Sequence, residues 1–405
     1  MTRRLVAGLG LLVLVGCRGE PRDATGERTL ARLVDSLAPE VERAVGLRFR
    51  QPPRYAMRSR EQVRAFVQAK LAEQLPPETF RRITRAYALL GLLPDSLDVR
   101  LVMEQLLAQQ IAGYYDPDSA TFYGVLGSDP STQRLTIAHE LVHALQDQYL
   151  PLDSILRDRS DNDRSLAAQA ILEGQANYAS IAMLQGAEVA ALPEFWEQFR
   201  ATGDEVMAGG DFARVPAVIR EGLLFPYIGG AEFIRWWLQS PLRDTLPYGP
   251  RLPASSEQIL FPERYAAGDA PLDVRFTDAE AGAYEDVLGE FEVRLLQQEL
   301  TGQRATTSVV PLGWGGDRYR LAGEPGREHL VWVSVWDAPT ARDRFVATTG
   351  ARLLARARDG YRSAADTLTV SGRPGWRFVT APEGWEGWGQ LPAAEVRGRP
   401  ATRAP

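Results

Sequence analysis

The stretch from Thr132 to Tyr149 constrains this chain more than any other. It holds no Gly or Pro, and Leu135, Ala138, Leu141, Val142 and Leu145 cover most of the circumference of the helix it predicts. A helix so apolar is buried. It carries inward two of the chain's 3 histidines, His139 and His143, with Glu140 directly after the first. Residues at i and i+4 share a helix face with Cβ atoms ~6 Å apart, so two imidazoles at that spacing can converge on one ion. Glu140 is rotated by ~100° from His139, which lets it approach a water on that ion without binding the ion itself. The alternative is a solvated face with two incidental histidines. The apolar surroundings argue against it, because buried imidazoles beside a carboxylate need partners.

A catalytic zinc ion takes three protein ligands and leaves one position open. His329, the remaining histidine, is remote in sequence and opens a strand-like run, so it reads as structural. Glu173, in Ile171-Leu172-Glu173-Gly174-Gln175-Ala176-Asn177, is the better third ligand. It is a carboxylate in a mostly apolar predicted helix, Ser165 to Leu184, with Asp163 expected as its cap. A solvent-facing glutamate remains the alternative at this point.

His-Glu-x-x-His followed on a second helix by Glu-Gly-x-Ala resembles the gluzincin metallopeptidases, the superfamily that includes thermolysin and the leucyl-type zinc aminopeptidases. The resemblance implies Zn2+ held by His139, His143 and Glu173, with Glu140 as general base. It places Asn177 where family members often carry an aspartate that orients a zinc-bound histidine. In Phe225-Pro226-Tyr227-Ile228-Gly229-Gly230-Ala231, Tyr227 matches the tyrosine that zinc aminopeptidases place at the start of a helix to stabilise an oxyanion. The Gly-x-Met-Glu-Asn signature of those aminopeptidases is absent, which argues against a dedicated aminopeptidase. From Gly113 to Tyr265, including His-Glu-Leu-Val-His-Ala-Leu-Gln-Asp-Gln and Ser-Ser-Glu-Gln-Ile-Leu-x-Pro-Glu-x-Tyr, the chain also resembles a set of poorly characterised prokaryotic gluzincin-like proteins.

The expected fold class is α+β: a mostly helical, zincin-like catalytic core with a small antiparallel sheet, followed by a small C-terminal α+β domain. Gly113 to Val125 reads as a hairpin around an Asp-Pro-Asp-Ser turn. The free edge of its Thr121 to Val125 strand is expected to align an extended peptide, with Tyr115 and Tyr123 as substrate contacts. Residues 29–98 form an N-terminal helical region, 99–302 the catalytic unit, 303–381 the small domain and 382–405 a partly disordered tail. Ser255 to Gln258 is expected to be a capping box.

At the other end, Met1 to Arg4 is basic, Leu5 to Val15 is apolar, and Leu14-Val15-Gly16-Cys17 resembles a bacterial lipobox. This predicts a signal peptide over 1–17, lipidation of Cys17, a tether over 18–28 and no transmembrane helix in the mature protein. A plain secretory signal with a leftover cysteine is the alternative. Arg18 is not the aspartate that favours inner-membrane retention, so the outer membrane of the cell envelope is the preferred site. The 1 cysteine cannot pair within the chain, and stability falls to the core of a 405-residue sequence that is 45% hydrophobic. A net charge of -6 argues against nucleic acid and leaves neutral or peptidic partners, and the resemblance implies a peptide or protein substrate. Two rivals remain: a non-catalytic envelope binding lipoprotein, favoured by Trp314, Trp332 and Trp336 if they lie at a surface, and a zinc amidase acting on cell-wall peptides.

Overall fold

The computed structural model describes residues 23–74, 76–127, 130–152, 155, 161–209, 214–303 and 311–397. The expected signal peptide, the lipobox and Cys17 lie outside these residues. Part of the expected tether does not: Asp23–Val45 is one helix, α1, because its polar first turns continue a stripe of Leu30, Val34, Leu37 and Val41 that is fully buried.

The helical reading of the N-terminal region omits a strand. Arg54–Arg58 forms β1 ahead of α2 (Arg60–Gln74), α3 (Pro77–Leu90) and α4 (Val99–Gln110). The expected hairpin follows as β2 (Gly113–Asp116) and β3 (Thr121–Val125), with Tyr114 opposite Tyr123 and Tyr115 opposite Phe122. β1 then pairs in parallel with β3, from Arg54 opposite Thr121 to Arg58 opposite Val125. The small sheet is therefore mixed, in the order β1-β3-β2, and β3 is its centre. The expectation of a free edge on β3 fails for this reason, since both of its sides are paired.

Three helices build the core around the His139, His143 and Glu173 cluster: α5 (Pro130–Asp147), α6 (Asn162–Gln185) and, after α7 (Pro193–Ala208), α8 (Ala217–Gln239). The cap of α6 is Asp161, whose carboxylate accepts the Arg164 N–H at 2.7 Å. Asp163, expected in that place, is instead buried and accepts the backbone N–H of Ser256 at 2.9 Å. Two glycines decide how α6 and α8 meet. A Cβ on Gly174 would lie 2.1 Å from the Gly230 carbonyl carbon, and one on Gly230 would lie 1.9 Å from the Ala170 oxygen. Only bare backbone lets the two helices touch this closely.

Beyond α8, Ser255 caps α9 (Ser256–Leu260) by accepting the Gln258 N–H, and the Gln258 side chain in turn accepts the N–H of Ala254. After α10 (Pro262–Ala266) come β4 (Asp273–Phe276), β5 (Tyr284–Asp286) and α11 (Gly289–Thr301). The C-terminal sheet then adds β6 (Trp314–Ala322), β7 (His329–Trp336), α12 (Pro339–Phe345), β8 (Tyr361–Val370) and β9 (Arg373–Pro382). Its order is β5-β6-β7-β9-β8, antiparallel throughout, so β5 reaches into it from ahead of residue 303. The overall class is α+β.

The tail departs from its expected disorder up to Arg397. Ala394–Arg397 forms β10, antiparallel to β4, and Trp385 stacks on His329 with ring centroids 4.4 Å apart. Apolar contacts of Trp385, Trp388 and Val396 with the sheet supply the order that composition hides. Trp314, Trp332 and Trp336 are all buried, with Phe345 of α12 packed against Trp332, Trp336 and Trp376. They form no surface, so the feature that favoured a binding protein is core packing. The indole N–H groups of Trp314 and Trp332 donate to Asp317, at 3.0 and 2.9 Å, and the backbone N–H groups of Leu288 and Gly289 donate to the same carboxylate. That carboxylate fastens α11 to the sheet. Among the described residues, no helix is long and apolar enough to cross a membrane.

Candidate metal centre

α5 delivers His139 and His143 on one face, and α6 delivers Glu173 opposite them. His139 Nε2 and His143 Nε2 lie 3.1 Å apart, and Glu173 Oε2 stands 3.1 Å from the first and 3.2 Å from the second. All three side chains are buried. Zinc–ligand bonds of ~2.0–2.1 Å at tetrahedral angles place neighbouring ligand atoms ~3.3 Å apart, so these three donors form one face of such a site. The donor set of two imidazoles and a carboxylate therefore fits a divalent metal, and the solvent-facing alternative for Glu173 is excluded by its burial. A cavity of about 20 Å³ beside His143 and Glu173, bounded by Tyr115, Pro117 and Leu152, has room for about one water molecule.

The electrostatics without an ion match a site built for positive charge. Burial alone would lower the His143 imidazole, but the adjacent Glu173 carboxylate carries it up to about 9. Burial alone would raise Glu173, yet the two histidines hold it well below the usual carboxylate range. Glu140 is pushed upward by burial, which outweighs the histidines. Its Oε2 accepts the backbone N–H of Tyr115 at 2.7 Å, while its Oε1 is buried with no hydrogen-bond partner among the described residues. One oxygen is thus anchored by β2, and the other is left to take a proton.

The structure distributes the remaining expected residues unevenly. Tyr115 belongs to the site through its backbone, while its hydroxyl donates to Asp147 at 2.7 Å. Tyr123 does not reach the site: strand alternation puts it with Tyr114 on the face toward Phe66 of α2, and Arg58 lies over its ring. Tyr227 stacks on the His139 ring with centroids 5.8 Å apart and planes at 23°. It lies in the middle of α8, not at a helix start, next to Pro226, which cannot donate within the helix. Asn177 donates from its side chain to the Tyr227 carbonyl at 3.1 Å, so it fastens α6 to α8. The side-chain oxygen found beside a ligand-set histidine is that of Gln146, 2.8 Å from His143 Nδ1. Its position one turn after His143, inside an apolar helix, was the signal available in the sequence. His329 is structural, with Nε2 3.2 Å from Glu280.

No family model and no curated protein matches the chain. Among solved structures it is similar to a presumed hydrolase with a novel fold from Chloroflexus aurantiacus, at 18% identity and a TM-score of 0.37, covering 62% of this chain and 92% of that one. A likeness at that level carries no argument here.

Proposed function

We propose that the chain is a zinc-dependent peptidase of the gluzincin type, exported and held at the envelope by lipid on Cys17. The observation that carries the reading is the convergence of His139, His143 and Glu173 beside a buried Glu140 whose second oxygen is unpartnered. A zinc ion held by the three ligands would supply Lewis acidity, polarising a peptide carbonyl and acidifying a water. Glu140 takes the proton of the attacking water on Oε1 and passes it to the leaving amine, while the Tyr115 N–H holds Oε2 and fixes the carboxylate's aim. Burial, which raises Glu140, suits it to that exchange. Tyr227, fixed by its stacking on His139, assists the oxyanion.

The chemistry is tested on zinc-loaded protein, wild type against Glu140→Gln, with casein, a peptide library and muropeptides as substrates. Cleavage of peptides by the wild type alone supports the proposal, and cleavage of muropeptides alone replaces it with the cell-wall amidase. A zinc-loaded wild type inert on all three refutes the enzyme reading.

A further inference from the structure

We infer that Gln146 is the positioning residue of the metal centre, itself set by Gln175 and Tyr248, and that it fixes which nitrogen of His143 faces the ion. The inference rests on the metal reading above and extends it to residues that neither the ligand spacing nor the resemblance assigned. Gln146 is fully buried. Its amide nitrogen lies 3.1 Å from the Leu172 carbonyl oxygen and 2.9 Å from Gln175 Oε1, with the Tyr248 hydroxyl 3.3 Å away. The first two are pure acceptors, and they take the two hydrogens of the amide. Turning the amide over would set its oxygen against two other oxygens in a buried site, where unpaired acceptors are costly. The oxygen of Gln146 must therefore face His143 Nδ1, at 2.8 Å.

An acceptor at that place requires a hydrogen on Nδ1. A neutral imidazole protonated there carries its lone pair on Nε2, the nitrogen that lies 3.2 Å from Glu173 Oε2 in the ligand triangle. The Tyr248 hydroxyl donates to Gln175 Oε1, so that oxygen receives two donors and is held in place. Gln146 also ties the two ligand-bearing helices together, because Leu172 directly precedes Glu173 on α6. His139 has no counterpart: its Nδ1 is buried without a hydrogen-bond partner among the described residues. His143 is held through its second ring nitrogen, whereas His139 is held by ring packing against Tyr227, so disturbing Gln146 acts on His143.

The test measures zinc affinity by chelator competition and the ring-nitrogen state by long-range 15N spectra of zinc-loaded, histidine-labelled protein, which holds only 3 histidines. The wild type is expected to show His143 with a slowly exchanging Nδ1–H and Nε2 on the metal. Gln146→Leu is expected to lose that protection and weaken zinc binding ~10–100-fold. Tyr248→Phe, which removes one of the two donors to Gln175 Oε1, is expected to weaken zinc by a few-fold only. Gln146→Leu with wild-type affinity and an unchanged His143 signal overturns the inference while leaving the metal site standing. If that variant does not fold, a wild-type spectrum with His143 bound through Nδ1 overturns it equally. A wild type that binds no zinc removes the metal reading and this inference together.

Discussion

Replacing Gly230 by alanine tests the packing that brings the ligands together. In an unobstructed helix interior the change gains ~0.8–1 kcal/mol in helix propensity. Gly222, on the same helix, has nothing within 4 Å of a built Cβ, so Gly222→Ala is predicted to stabilise by ~0.5–1 kcal/mol. At Gly230 the Cβ would stand 1.9 Å from the Ala170 oxygen and 3.0 Å from Gly174 Cα, against ordinary contact beginning at 3.4 Å. The shortfall of roughly 1.5 Å against the Ala170 oxygen is against backbone of α6, and no rotamer relieves it. Overpacking of this kind costs ~1–3 kcal/mol, and after the propensity gain a net loss of up to about 2 kcal/mol is predicted. Glu173 is the neighbour of Gly174, and metal sites tolerate displacements of only ~0.2 Å, so zinc affinity falls as well. Urea melts and chelator competition on both variants measure this. Gly230→Ala as stable as Gly222→Ala, with zinc affinity intact, would refute the close-approach argument.

Other consequences follow from the same contacts. Glu140→Gln is predicted to keep zinc and lose ~10²–10⁴-fold in turnover, read by metal analysis beside peptide cleavage. Tyr227→Phe is predicted to lower kcat with little change in KM, which steady-state kinetics on one peptide resolves. Glu292, buried against the Tyr87 hydroxyl and Asn162 amide, is pushed up to about 8, so the folded state holds its proton more tightly than the unfolded chain. Its contribution to stability is therefore largest below the usual glutamate range and declines as pH climbs toward about 8, with a slope of up to ~1.4 kcal/mol per pH unit. Glu292→Gln is predicted to flatten that decline in urea melts across the window.

His139, Glu140 and His143 could be read from the sequence because their relation is local: helical spacing alone brings the two imidazoles together. Glu173 could be read because a charge in an apolar helix needs a partner. What depends on contacts between distant segments could not. β1 gives no alternation to read, and it exists only because β3 offers it an edge. Its arrival closed the free side of β3, and alternation placed Tyr123 away from the site. Asn177 turns to α8 because that helix approaches α6 through glycine, which puts the Tyr227 carbonyl within reach of its side chain. The capping of α6 by Asp161, with Asp163 two residues later, is decided by where Ser256 packs, more than ninety residues downstream by the sequence numbering.

In the proposed reaction His139, His143 and Glu173 hold one zinc ion and Glu140 uses it to hydrolyse peptides. Metal-free protein titrated with zinc, with peptide cleavage followed at each addition, tests this most directly. Cleavage is predicted to rise linearly and break at one zinc per chain, with Glu140→Gln binding the same zinc silently and Glu173→Ala failing to reach that stoichiometry at wild-type affinity. Peptide cleavage that is independent of zinc, or a zinc-loaded wild type with no cleavage, would contradict it.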